Sequence, residues 1–149
     1  LKLKSPPFSI NRAYYKKSKT ITADCREWGD NILIQLQKAP IQAMFKTLNT
    51  ALPDNPLLGV SLTFYSPGDV LYTKAGAISR RSMDLSNIEK LLIDLIFDRR
   101  FDGRTVKGRL VRNLAVDDKY IVDLHSSKRE SKDEDFHILV EIWNVETLY

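Results

Sequence analysis

The stretch that most constrains the fold is Asp84 to Asp98, "DLSNIEKLLIDLIFD". At roughly 100° per residue, Ile88, Leu91, Leu92 and Leu95 fall on one face of a helix. Such a face must be buried against another layer, and a sheet is the natural partner. Asn87, Lys90, Asp94 and Asp98 form a polar stripe beside it. Asp84 stands where an N-cap belongs, and Lys90 and Asp94 have the i,i+4 spacing of an exposed ion pair. Taken alone, these are the ordinary fittings of an amphipathic helix.

Strands to receive this helix are legible elsewhere. Leu57 to Ser66, "LLGVSLTFYS", is β-rich and bounded by turn residues. Lys119 to Ser127 and Phe136 to Val145 both alternate, and the polar run between them predicts a β-hairpin with a long loop. "LKLK" at the start is a short strand. Thr22 to Ala39 is predicted as a first helix on the spacing of Trp28, Ile32, Leu33 and Leu36, with Pro40 ending it. Ile41 to Leu52 is a second helical piece. Val70 to Ile78 is expected to be an extended, glycine-interrupted arm. Arg99 to Asn113 is a basic loop, with strand character near "GRLVR" or mobile without DNA. The order predicts an α+β fold: one domain over residues 1–149, with helices packed on one face of a mixed or antiparallel sheet. The length, 149 residues, suits a single core.

Composition narrows the function classes. No run of about 18 apolar residues is present, so no transmembrane helix is expected. The first residue is Leu, so the native start is expected upstream. The one cysteine, Cys25, leaves no internal disulfide or CxxC zinc site, points to a reducing cytoplasm, and is expected to be structural. Net charge is +4, and its distribution matters more than its sum. Leu1 to Arg26 holds seven Lys/Arg and one acid, Arg99 to Arg112 six and one, whereas Glu130 to Tyr149 holds six acids and one Lys. Basic segments beside an acidic tail suit a polyanion such as nucleic acid, and equally an unevenly charged surface.

A second acidic feature adds weight. "LAVDDKYIVDL" sets Asp117 and Asp118 just before a strand. Paired acids there form turns. They also meet acids from a neighbouring helix and hold a divalent cation, which takes hard oxygen ligands. Such a centre, with a lysine beside it, suits phosphodiester hydrolysis. His125 and His137 alternate within predicted strands and are read as sheet-face residues.

Three stretches together resemble the RusA family of Holliday-junction resolvases. "PPFSINRAYY" resembles its N-terminal pattern of prolines, Asn-Arg and an aromatic. "RRSMDLSNIEKLLIDLI" resembles its basic-Asp-x-Asp-Asn-x-x-Lys-x-x-x-Asp helix. "LAVDDKYIVDLHSSKRES…HILVEIW" resembles its Asp-Asp strand, Lys-containing turn and final strand. The resemblance implies a homodimeric, Mg²⁺-dependent endonuclease that nicks four-way DNA junctions symmetrically, Mn²⁺ being an alternative ion. It implies a phage or prophage origin and action in the bacterial cytoplasm.

Carried over by position, the resemblance makes Asp84 and Asp118 metal ligands, with Asp117, Asp94 and Ser86 as further ones, and Lys90 the charge stabiliser. Arg12, Tyr14, Lys16, Lys17, Arg80, Arg81 and Asn87 are then DNA contacts, with Arg99, Arg100 and Arg104 as weaker ones; Tyr14 and Tyr15 either stack on an unpaired base or pack against helix one. The family's second helix carboxylate falls on Ser86. Three readings follow: an active site that works without it, a weakly metallated site, or a junction binder that no longer cuts. Helix one and the strand from Leu57 to Tyr65 are the candidate dimer surfaces.

Overall fold

The computed structural model describes residues 1–8, 21–79, 84–133 and 135–145. A four-stranded sheet carries the fold. Its strands are β1 (Lys2–Leu3), β2 (Leu58–Ser66), β5 (Ile121–Glu130) and β6 (His137–Asn144). They lie in the order β1-β6-β2-β5. β6 runs antiparallel to both β1 and β2, while β2 and β5 are parallel. This is an α+β fold with a mixed sheet.

β2 is the central strand because its sequence suits burial. Leu58, Val60, Leu62 and Phe64 alternate onto the helix-covered face and are at most 1% exposed. Each buried side chain of this size contributes about 1.5–3 kcal/mol. Ile138 and Val140 of β6 and Leu3 of β1 continue that face. Onto it pack α1 (Ala23–Leu36), through Trp28, Ile32, Leu33 and Leu36, and α4 (Leu85–Phe97), through Ile88, Leu92, Leu95 and Ile96. Leu91 is only partly buried, because the covered face of α4 is rotated toward Ile93 and Ile96. The opposite sheet face carries rings: Tyr65 stacks on His137 at 4.3 Å and His125 lies 6.4 Å from Trp143. Gly59 makes the second arrangement possible, since a Cβ there would sit 2.1 Å from the Trp143 ring.

Several expectations need correction. β5 and β6 form no hairpin, for β2 lies between them. The polar run crosses the end of β2, where the Ser131 amide donates to the Ser66 carbonyl at 2.8 Å. Alternation identifies a strand but not its neighbour. The first helix stops at Leu36, and Pro40 falls in the first turn of α2 (Ala39–Ala51). Proline is tolerated there because first-turn amides have no intrahelical partner. Val70 to Ile78 is no extended arm: α3 (Gly68–Leu71) is followed by a turn closed by a Tyr72–Ile78 bridge. The apolar faces of helix one and β2 pack into the core.

The basic segment is built rather than irregular. A 3-10 turn at Arg99–Phe101 leads to β3 (Thr105–Val106) and β4 (Arg109–Leu110). Lys107 and Gly108 join these strands with φ of 48° and 77°. Two positive φ values mark the two-residue turn whose twist matches a hairpin. Lys107 also reaches Glu27 on α1 at 2.9 Å.

Candidate functional site

Asp118 sits at the root of β5, in a 3-10 turn over Asp118–Tyr120. The turn forms because Asp117 caps it, accepting the Lys119 amide at 3.0 Å. Asp117 is thus the turn former that paired acids before a strand allow. The turn carries Asp118 to the polar stripe of α4. There Lys90 Nζ donates to Asp94 Oδ1 at 2.8 Å and lies 3.6 Å from Asp118 Oδ2. Two of the predicted acids, Asp94 and Asp118, therefore meet at one lysine, which precedes the second by 28 positions. The side chains of Lys90 and Asp118 are 53% and 49% exposed, so the cluster is open to solvent.

The environment holds Lys90 as a cation. Its pKa is raised above the ordinary 10.5, chiefly by the hydrogen bond to Asp94. Partial desolvation opposes this, and the charges of Asp94 and Asp118 reinforce it. Lys90 is thus a cation at neutral pH, not a proton acceptor. A raised cation pKa stabilises the fold fully below the unfolded value and loses that contribution as pH climbs through the folded one. The stability difference between wild type and Lys90→Met is therefore expected to be flat from pH 7 to 9. Above about pH 10.5 it shrinks. Urea midpoints measured across that range check this, and a decline already complete by about pH 9 would contradict it.

Asp84 and Ser86 stand at the start of α4. Asp84 holds the N-cap position, but its carboxylate makes no capping hydrogen bond. Only its carbonyl serves the helix, accepting the Asn87 amide at 3.0 Å. The capping role expected of the side chain is thus absent. Asp84 precedes Lys90 by six residues, about 9 Å along the axis. Ser86 is exposed and stands one turn before Lys90, the i,i+4 spacing at which helix side chains meet. Asn87 is half-buried on the Lys90 side.

Asp94 and Asp118 offer hard oxygens of the kind a divalent cation takes, and both face Lys90. Among the described residues, no three His, Cys, Asp or Glu side chains are gathered as a metal-holding group.

Of the predicted DNA contacts, Arg12, Tyr14, Tyr15, Lys16, Lys17, Arg80 and Arg81 lie outside the described residues. Arg99 donates to the Ala115 carbonyl at 3.2 Å and lines a shallow cleft with Asp98, Asp117, Asp118 and Lys119. His125 pairs with Asp123 at 2.8 Å on the open sheet face. Cys25 is buried, and burial pushes its thiol pKa up, which suits a structural role.

Two features escaped the sequence reading. Glu89 accepts the Ser126 hydroxyl at 2.5 Å and ties α4 to β5. Asn113, 6% exposed, donates to the carbonyls of Leu95 at 3.0 Å and Asp98 at 2.7 Å. It also accepts the Ala115 amide at 2.9 Å, so one side chain ends α4 and starts the path to Asp118. Asn113 stands in an unremarkable "VRNLAV", with no local pattern to mark it.

No family model matches this chain, and no curated protein is similar to it.

Proposed function

We propose that this protein is a structure-specific DNA endonuclease of RusA type, acting on four-way junctions. The observation that carries the reading is the meeting of Lys90, Asp94 and Asp118 at one exposed point. A cation held between carboxylates suits a phosphodiester: Lys90 stabilises the charge that develops on the phosphate oxygens. Asp84 and Asp118 would hold Mg²⁺, or Mn²⁺, which when bound activates water for hydrolysis. Asp94 keeps Lys90 extended toward the reacting phosphate, and Asn87 contacts the strand beside it. Arg12, Lys16, Lys17, Arg80 and Arg81 supply backbone contacts, whose mark is salt-sensitive binding.

The active form in this reading is a homodimer, because a junction offers two symmetric scissile strands. β5 forms the outer edge of the sheet, and Val122 and Leu124 on it are 40% exposed. The setting is phage or prophage recombination in the bacterial cytoplasm.

A second reading rests on Ser86: a protein that binds branched DNA without cutting it. Incubation with a four-way junction, a fork and a linear duplex, with Mg²⁺ or Mn²⁺, separates the two. Paired symmetric nicks confined to the junction support the nuclease, and tight binding without nicks supports the binder. Equal affinity for junction and linear duplex would sink both. Ser86→Asp sharpens the comparison, since it sets a carboxylate one turn from Lys90. Nicking is expected to rise by about a hundredfold, the lower end of what one charge-stabilising group is worth. An unchanged rate would show that position 86 lies outside the reaction.

A further inference from the structure

A second feature adjoins the cluster, on the other side of Asp94. α1 and α4 leave a groove of 310 Å³ between them, closed at one end by the 3-10 turn that carries Phe101. Asp94, whose carboxylate binds Lys90, forms part of its wall, so groove and cluster are continuous. Leu91 and Phe101, both only partly buried, supply apolar surface. Arg26, Arg100 and Arg104 are among its lining residues, Arg100 being paired with Asp98. Asp30 and Asp94 are the opposing carboxylates, and Lys90 already offsets the second. With those pairs set aside, Arg26 and Arg104 outnumber Asp30, and the balance is toward an anion.

The geometry of the far end is more specific. The Arg104 guanidinium lies over the Phe101 ring, 4.9 Å from its centroid. The ring packs on the core and carries the guanidinium, whose outer plane is a surface on which a nucleobase stacks. Arg100 is fixed at the rim by two hydrogen bonds to Asp98, at 2.7 and 2.9 Å. A volume of 310 Å³ stands at the small end of ligand sites, about 300–1,000 Å³, and excludes a duplex.

We propose that the groove between α1 and α4 takes one unpaired nucleotide of a DNA strand, its base on the Arg104 guanidinium that the Phe101 ring backs, and its phosphate facing Arg26. The neighbouring phosphate of the same strand is then delivered to Lys90 and Asp118. This rests on the nuclease reading and adds to it a reason for preferring DNA with an unpaired base at the branch. The basic segment thus serves as a positioning device for a single strand.

The test uses a short single-stranded oligonucleotide and its counterpart with one abasic position, each titrated by fluorescence anisotropy. A four-way junction is titrated in parallel. Wild type is expected to prefer the intact strand about tenfold, the order that base stacking gives. Phe101→Leu keeps an apolar contact with the core but has no ring, and is expected to lose the preference. Arg104→Lys keeps the charge without the plane, sits at the surface, and is expected to weaken it. Equal wild-type affinity for the two strands, with the junction still bound, overturns the nucleotide site and leaves the nuclease reading standing. A preference that survives in both variants overturns it too, by placing the stacking elsewhere. Failure to bind any of these DNAs overturns both.

Discussion

Asp118→Asn is expected to lower junction nicking by about a hundredfold or more, the scale on which removal of one group stabilising a transition state is felt. The substitution keeps size and shape but removes the charge that faces Lys90 at 3.6 Å. Lys90 keeps its shorter contact, 2.8 Å to Asp94, so the helix side of the cluster stays in place. The Asp118 side chain is 49% exposed, and a substitution at such a surface usually changes stability by under about 0.5 kcal/mol. Activity and stability are therefore expected to separate. End-labelled junctions report the nicks, and a thermal melt reports the fold. Undiminished nicking by a folded Asp118→Asn protein would remove the chemistry from this cluster.

The second large effect is expected on stability. Asn113→Leu should cost about 3 kcal/mol, because buried polar groups that lose their partners cost about 1–3 kcal/mol each. The carbonyls of Leu95 and Asp98 and the amide of Ala115 all lose the Asn113 side chain. Leucine has similar bulk and offers them nothing. The loss also reaches the site, since Asn113 joins the end of α4 to the segment that leads to Asp118. A urea midpoint measures the change. A cost below about 1 kcal/mol would mean that water reaches these groups.

These residues also mark how far the sequence could be read. The α4 face was legible because a 100° period survives any tertiary context, and Ile88, Leu92 and Leu95 are buried as expected. The β2 strand was legible because its β-rich residues are bounded by turn formers on both sides. What sequence does not carry is which strands become neighbours. Lys119 to Ser127 and Phe136 to Val145 were recognisable as strands, yet the insertion of β2 between them depends on long-range packing. Pro40 misled in the first helix because the same residue can end one helix or begin the next.

The cluster was legible in kind and not in geometry. Acids at Asp94 and Asp118 and a lysine at Lys90 are visible as motifs. That Asp118 joins the Lys90–Asp94 pair follows from the turn that Asp117 caps. The groove could not be anticipated. Its parts come from α1, α4 and the basic segment, and no single stretch contains it.

The position of β6 has a consequence for how the chain folds as it is made. β6 lies between β1, from the first residues, and β2, from the middle of the chain. Until residues 137–144 leave the ribosome, β1 has no strand to join, and the sheet consists of β2 and β5 alone. Contacts that span nearly the whole chain are slow to form, because the loop they close must be ordered first. The last long strand is therefore the step that commits the nascent chain. A ribosome stalled before His137 should hold a chain with Asp118 and Lys90 already synthesised, but with the layer beneath them incomplete.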